Sequence, residues 1–182
     1  QGPSSCLIFL TAAKDDQKEG RVFCARTDDG ARTWRFVSWI GAERSGYSIM
    51  PSTVRLAERE LLSAVRRQQG ERWGIDLFRS SDDALSWQPA GTPIEGPGLS
   101  NPPSMIRLAD GRLCLTYGSR SAPWGVRARI SADGGRTWGK EIVLRGDGDG
   151  TFTNVGTFVT GGNGHWVNAT TVADMNNDGR PD

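Results

Sequence analysis

The sequence predicts an all-β protein, and three observations support this prediction. Glycine and tryptophan are frequent, with 24 and 7 of the 182 residues. Glycine permits tight turns, and tryptophan supplies a large packing surface per residue. Short runs that alternate between apolar and polar residues are typical of strands with one buried face. Finally, one eight-residue pattern occurs three times at nearly constant spacing.

The repeated pattern is Ser/Thr-x-Asp-x-x-x-Ser/Thr-Trp, and we call its three copies the box segments. They are Thr27–Trp34, Ser80–Trp87 and Ser131–Trp138. Their aspartates, which lie 53 and 51 residues apart, are Asp29, Asp82 and Asp133. Periods near fifty residues indicate stacked four-stranded units, which are the blades of a β-propeller.

The flanks of the box segments repeat as well, which allows the strands to be placed. Met50–Leu62 aligns with Pro102–Cys114, and the Asp110-Gly111 pair between apolar runs predicts a hairpin turn. Blade 2 is expected over about 49–97 and blade 3 over about 101–145. Blade 1 begins with its second strand, CLIFLTAAK, which we expect to be buried. The sequence therefore predicts an incomplete ring of blades.

Composition and charge exclude some classes of function. The formal net charge is +1 with acids and bases interspersed, so no basic surface for nucleic acid is predicted. No apolar run is long enough to span a membrane. Cys6, Cys24 and Cys114 are odd in number and widely spaced, which favours free thiols in strands over a disulfide framework. A bridge between Cys6 and Cys24 is the less favoured alternative.

The box segments resemble the Asp-box, or BNR repeat, of sialidase-like six-bladed propellers over about residues 6–145. In each box the hydroxyl and the carboxylate are expected to accept hydrogen bonds from amides of the same turn. The tryptophan is expected to pack against the blade. The resemblance implies that the boxes lie away from the active site, so six residues are assigned a structural role: Asp29, Trp34, Asp82, Trp87, Asp133 and Trp138.

The same resemblance implies a glycan-directed protein derived from an exo-α-sialidase-type glycoside hydrolase. Such enzymes hold the substrate carboxylate with three arginines and use a tyrosine nucleophile with a glutamate, and an aspartate as acid/base. The substrate-binding candidates are Arg66, Arg67 and Arg120, which end the second strands of two blades. The catalytic residues are unknown, because neither Tyr47 nor Tyr117 lies in a recognisable nucleophile context. Whether the chain is an enzyme stays open.

The C-terminal part, residues 146–182, resembles a partial FG-GAP or VCBS repeat of the integrin-α type. Its run D-x-N-x-D-G-x-x-D carries hard oxygen ligands at spacings that suit calcium. The expected ligands are the side chains of Asp174, Asn176, Asp178 and Asp182 and the carbonyl of Arg180. This resemblance supports an alternative function, a non-catalytic, calcium-stabilised glycan-binding or adhesion propeller. A solvated turn without metal is the other interpretation of the same run.

An incomplete ring leaves blade faces and sheet edges uncovered. We therefore expect an oligomer or a missing segment to complete the propeller, besides a glycan or sialoside-type ligand. The expected location is secreted, periplasmic or at the cell surface, although the sequence contains no signal peptide.

Overall fold

The computed structural model describes residues 4–13, 19–43, 45–96 and 102–145. Within these ranges the chain forms eleven β-strands and no helix, which confirms the predicted all-β class. The strands are β1 (Cys6–Ala13), β2 (Glu19–Thr27), β3 (Arg35–Ile40), β4 (Tyr47–Arg55), β5 (Leu61–Gln69), β6 (Arg72–Ser80), β7 (Gln88–Glu95), β8 (Ser104–Arg107), β9 (Leu113–Ser119), β10 (Gly125–Ser131) and β11 (Ile142–Arg145). The same ranges contain no helix long and apolar enough to cross a membrane.

The strands form three antiparallel sheets in which neighbours along the chain are neighbours in the sheet. Blade 1 contains β1 to β3, blade 2 contains β4 to β7, and blade 3 contains β8 to β11. As predicted, blade 1 has three strands and the other two blades have four. Strand β4 contacts β1 and β2 on one side and β8 on the other, so the three sheets are stacked in chain order.

Apolar clusters between neighbouring blades hold the stack together. Val22 and Ile40 of blade 1 pack against Val65 and Phe78 of blade 2. The larger cluster joins blades 2 and 3 and contains Leu62, Ala64, Ile75, Leu77, Ile94, Met105, Leu113, Leu115 and Tyr117. Since side chains alternate across a strand, each sheet has a forward face toward the next blade and a backward face toward the preceding one.

The box segments form three turns with the same hydrogen bonds, as the sequence predicts. In the third box, the amide of Gly135 donates to Ser131 Oγ at 2.8 Å and the amide of Thr137 donates to Asp133 Oδ1 at 2.9 Å. The Thr137 hydroxyl donates to the second carboxylate oxygen at 2.5 Å. Asp29 and Asp82 accept the corresponding bonds in their own turns. Each aspartate thus satisfies its own turn.

The box tryptophans pack on the blade that precedes them rather than on their own. Trp87 contacts the cluster between blades 1 and 2, and its Nε1 donates to Ser38 Oγ of blade 1 at 3.1 Å. Trp138 packs on the cluster between blades 2 and 3. Trp34 is 42% exposed, since no sheet lies on the backward face of blade 1 among the described residues.

The second box segment adopts a left-handed backbone without glycine. Asp83 and Ala84 have φ of 60° and 70°, a region that costs a non-glycine residue about 1–2 kcal/mol. The Asp83 carboxylate contacts Arg26 of blade 1 at 3.3 Å and Arg55 of blade 2 at 2.6 Å. Ala84 is fully buried against Cys24. Contacts between the blades therefore compensate the strained turn.

Strand β1 is more exposed than its sequence predicts. The expectation that CLIFLTAA is buried is wrong, because β1 is half exposed and nothing among the described residues covers the backward face of blade 1.

All three cysteines are free, as the favoured interpretation states. Burial raises the pKa of the Cys24 thiol to about 12, so this side chain packs as a small apolar group.

The lowered pKa values of the box aspartates predict that the protein loses stability in acid. The Thr33 hydroxyl and amide lower the pKa of Asp29 to about 2, and Thr137 lowers that of Asp133 in the same way. Since the folded-state pKa lies below the unfolded value of about 4, this stabilisation is complete above pH 4 and is lost as the pH falls toward 2. We expect the melting temperature to fall in that window.

The test is thermal unfolding followed by circular dichroism across the acid range. Replacing Thr137 by Val removes a hydroxyl donor to Asp133, so the loss of stability between pH 4 and 2 should become shallower. Thr116→Val is the matched control, because the Thr116 hydroxyl donates to a backbone carbonyl and not to a carboxylate. If the melting temperature of Thr137→Val fell as steeply between pH 4 and 2 as that of the unchanged protein, the prediction would be contradicted.

Candidate functional site

The candidate site lies at the strand ends opposite the box segments. Strand β6 enters the second box at Ser80, and its other end, at Arg72, pairs with the end of β5. Arg66 and Arg67 are followed by only two more residues of β5, Gln68 and Gln69, so they lie at this opposite end. Arg120 follows β9 at the equivalent end of blade 3. The three predicted arginines therefore belong to one side of the stack.

Arg66 lies on the forward face of blade 2 over the aromatic ring of Tyr47. Its guanidinium carbon lies 5.2 Å from the centroid of the Tyr47 ring, and one terminal nitrogen lies 3.7 Å from Met50 Sδ. The Tyr47 ring meets Trp73 edge to face, with 6.4 Å between centroids. Arg66 Nε is buried and has no hydrogen-bond partner among the described residues. Arg66 pairs with no carboxylate in the described ranges and can accept one from a ligand.

Arg67 points to the backward face of the same sheet, because consecutive residues of a strand alternate. Its Nε donates to Asp76 Oδ1 at 3.1 Å, and a terminal nitrogen donates to Glu95 Oε1 at 3.2 Å. Thr92 also donates to Asp76 Oδ1, at 2.8 Å. Only 4% of Arg67 is exposed. In this structure Arg67 and Arg66 do not share a pocket, and the assignment of Arg67 to substrate binding stays a prediction.

Arg120 is exposed, and its carbonyl accepts a hydrogen bond from Trp124 Nε1 at 3.1 Å. An exposed arginine beside an exposed indole is a polar and aromatic surface of the kind that contacts sugars. The structure does not bring Arg120 into contact with Arg66, so its assignment also stays a prediction.

A buried tyrosine meets an exposed glutamate at the edge of blade 3, and the sequence contained no signal for this pair. The Tyr117 hydroxyl donates to Glu141 Oε2 at 2.6 Å, and Arg127 Nε lies 3.3 Å from Glu141 Oε1. Burial, together with the hydrogen bond to Glu141, raises the pKa of Tyr117 to about 12. Because Tyr117 is only 2% exposed, it packs in the core as the sequence analysis expects, and a substrate cannot reach it there.

The box ends carry a separate groove between blades 1 and 2. Its volume is about 360 Å³, and it is lined by Arg26, Arg35, Val37, Glu58, Arg59, Asp82, Asp83 and Leu85. Within it, Arg26 pairs with both Asp28 and Asp83. Acidic and basic side chains thus largely neutralise one another, and the groove behaves as a polar seam between blades.

The predicted calcium ligands, Asp174 to Asp182, lie outside the described residues. Within the part of the chain that the structure describes, no group of three or more His, Cys, Asp or Glu side chains could hold a metal ion.

Stacked antiparallel sheets, each with one box turn, define the class of protein as a β-propeller with an incomplete ring. The chain belongs to the BNR repeat-like domain family, whose model matches residues 7–165. The match continues past Arg145 into the segment that resembles an FG-GAP or VCBS repeat, and that second resemblance stays a prediction. No curated protein matches the chain.

Three solved structures illustrate the similarity in fold. A protein of unknown function from Dyadobacter fermentans is 24% identical, with a TM-score of 0.63 over 79% of this chain and 39% of that chain. An α-L-arabinanase of Penicillium chrysogenum complexed with arabinobiose is 15% identical, with a TM-score of 0.52 over 78% of this chain and 49% of that chain. An α-L-arabinofuranosidase of Fusarium graminearum in complex with an iminosugar inhibitor is 12% identical, with a TM-score of 0.54 over 82% and 51%.

This chain therefore spans between two fifths and one half of the length of these structures. At such identities the similarity establishes the fold alone.

Proposed function

We propose that the chain is part of a glycan-directed propeller derived from a glycoside hydrolase of the exo-α-sialidase type, and that it binds an acidic sugar at Arg66. The observation that carries the proposal is Arg66 itself, a half-buried guanidinium without a carboxylate partner among the described residues, held over the ring of Tyr47, which in turn meets Trp73. A guanidinium binds a carboxylate through charge-assisted, often bidentate hydrogen bonds. Aromatic rings provide apolar surface for the faces of a sugar.

Membership of the BNR repeat-like family and the sugar ligands of two fold relatives support this proposal. The neighbouring charges support it as well. Arg67 is held by Asp76 and Glu95 on the backward face, which leaves Arg66 as the cation presented on the forward face at this strand end. The proposed role of this chain is binding, since its catalytic residues are unknown.

The experiment compares binding of a sialylated trisaccharide, its neutral disaccharide and arabinobiose by titration calorimetry. We expect the sialylated sugar to bind best and Arg66→Ala to weaken it by about 10- to 100-fold, the effect of one lost charge-assisted hydrogen-bonding group. Arg66→Lys should bind more tightly than Arg66→Ala but less tightly than the unchanged protein, because lysine keeps the positive charge but lacks the paired N–H donors of the guanidinium.

Arg59→Ala is the matched control, because Arg59 is exposed at the box end of the same blade. It should leave binding unchanged. Melting temperatures of all variants show whether the fold is intact. Equal binding of the neutral and sialylated sugars, or undiminished binding by Arg66→Ala, would rule out an acidic-sugar site at this residue. Stronger binding of arabinobiose would instead assign the site to neutral pentose sugars.

The second candidate function is a calcium-stabilised, non-catalytic glycan-binding or adhesion propeller, favoured by the oxygen-rich run Asp174–Asp182. We expect calcium to raise the melting temperature, by up to the equivalent of about 2.7 kcal/mol when it is present at a hundred times its Kd. Asp178→Ala should abolish this gain. Asp110→Ala is the control, since Asp110 pairs with Arg112 in a hairpin of blade 3. If calcium left the melting temperature unchanged, this second candidate function would be ruled out.

A further inference from the structure

One residue beside Arg66 adopts a strained backbone conformation. Met50 has φ of 54°, in the left-handed region that residues other than glycine rarely adopt. It lies in a β-bulge of β4, because the register with β5 shifts between Ile49 and Ser52 and leaves one extra residue on β4. Bulges and strained residues are concentrated at functional sites, where a bulge can redirect a side chain. Met50 therefore needs contacts that hold it in this conformation.

The repeat shows that this conformation is particular to blade 2. The alignment of Met50–Leu62 with Pro102–Cys114 places Pro102 of blade 3 at the position of Met50. The ring of a proline fixes φ at about −65°, so the left-handed conformation cannot occur there. Because blade 3 forms without it, the conformation of Met50 is not a requirement of the blade architecture.

A hydroxyl group of blade 1 holds the strained residue. The amide of Met50 donates to Thr11 Oγ1 at 3.1 Å, across 39 positions of the chain. Thr11 lies two residues before the end of β1 and pairs with Val22, which belongs to the cluster between blades 1 and 2. Since paired residues of neighbouring strands share a face, the Thr11 side chain points toward blade 2. One hydrogen bond between the blades thus reaches the bulge.

The side chain of Met50 in turn contacts Arg66. Its Sδ lies 3.7 Å from a terminal nitrogen of Arg66, and the guanidinium carbon lies 5.2 Å from the ring centroid of Tyr47, which belongs to the same strand as Met50. Arg66 forms no ion pair with a carboxylate in the described ranges. The sulfur and the ring, both from β4, therefore orient the guanidinium.

We propose that Thr11 and Met50 are positioning residues of the Arg66 site. The Thr11 hydroxyl keeps Met50 in its left-handed conformation, and the Met50 side chain keeps the guanidinium over the ring of Tyr47. This inference rests on the proposed function, because the ligand of Arg66 is the acidic sugar proposed above. A guanidinium that is oriented before the ligand arrives loses less conformational freedom on binding. Blade 1 thus contributes to the affinity through its contact with blade 2.

The test combines nuclear magnetic resonance with titration calorimetry on the full chain. The Nε–Hε resonance of Arg66, identified by its absence in Arg66→Lys, reports the position of the guanidinium because the ring current of Tyr47 shifts it. Thr11→Val should move this resonance toward those of exposed arginines. It should also weaken binding of the sialylated trisaccharide by about 3- to 10-fold, the equivalent of one hydrogen bond. Thr11→Ser keeps the hydroxyl and should leave both measurements unchanged.

Thr53→Val is the matched control. Thr53 belongs to β4 as well, and its hydroxyl donates to Ser63 Oγ of the same blade at 2.9 Å. This variant also loses a threonine hydroxyl, but one that does not reach the bulge. The Arg66 resonance and the affinity should stay as they are in the unchanged protein, whatever the melting temperature does.

A glycine at position 50 tests whether Thr11 acts through Met50. Glycine adopts positive φ without help but has no side chain to contact Arg66, so Met50→Gly should move the Arg66 resonance and weaken binding. Adding Thr11→Val to Met50→Gly should then change neither measurement further. If the two losses of affinity added instead, Thr11 would act by another route and the proposal would be overturned.

Three further results would also overturn the proposal. They are an Arg66 resonance that Thr11→Val does not move, a Thr11→Ser variant that behaves like Thr11→Val, and a moved resonance with undiminished binding. Failure of the proposed function would look different. The unchanged protein would then bind no acidic sugar, while the Arg66 resonance would still depend on Thr11. In that case the positioning of Arg66 stands and its ligand is another molecule.

Discussion

Replacing Arg67 by alanine should destabilise the protein by about 3–5 kcal/mol, because it removes the buried cation that forms an ion pair with the buried Asp76 carboxylate. Arg67 and Asp76 are 4% and 6% exposed and lie 3.1 Å apart, so water screens neither charge. Glu95, on the next strand, would lose its partner too. Chemical unfolding in urea measures the loss directly.

Arg120→Ala is the matched control, because Arg120 is exposed at the equivalent strand end and its side chain is not buried. Its effect should stay within about 0.5 kcal/mol. If Arg67→Ala instead kept its stability and lost binding of the sialylated sugar, Arg67 would belong to the ligand site and the buried pair would have no structural role.

Replacing Gly135 by alanine should destabilise the protein by about 2–5 kcal/mol, which is the second large effect that we expect. Gly135 has φ of 86°, which costs an alanine about 1–2 kcal/mol. A Cβ built there would lie 2.3 Å from Leu62 Cδ2 of blade 2, so the added methyl group also overpacks the cluster between the blades, at about 1–3 kcal/mol.

Gly30→Ala separates these two contributions. Gly30 has φ of 74° in the first box segment, and its Cβ would meet no atom within 4 Å among the described residues. Gly30→Ala should therefore lower the free energy of unfolding only by the cost of a positive φ, about 1–2 kcal/mol. Equal losses in urea unfolding for the two substitutions would show that the contact between Gly135 and Leu62 contributes nothing.

Much of the fold could be predicted because its signals are local. The box pattern, its spacing and the apolar alternation predicted the blades, the three-stranded first blade and the hydrogen bonds around Asp133, and the structure confirms each of them. The expected burial of β1 failed for a non-local reason. Whether Leu10 is buried depends on a sheet that the sequence of β1 does not encode.

The candidate site could be predicted only in part. The sequence placed Arg66 and Arg67 at one strand end, which the structure confirms, but it did not identify the partner of either side chain. Asp76 and Glu95 come from two other strands, and Tyr117 meets Glu141 across 24 residues of chain. Such pairs have no spacing that a single sequence reveals.

The sequence by itself determined how many box turns the chain contains, where they lie and how their polar side chains are satisfied, since the bonds that the box aspartates and the first hydroxyl of each box accept join residues at most four positions apart. Only the tertiary structure decided that Arg67 is buried in an ion pair while Arg66 meets aromatic rings, and that Trp34 is exposed while Trp87 is packed. The physical reason is the stacking of sheets. A turn satisfies its own polar groups, whereas burial and charge pairing depend on which blade lies against each face.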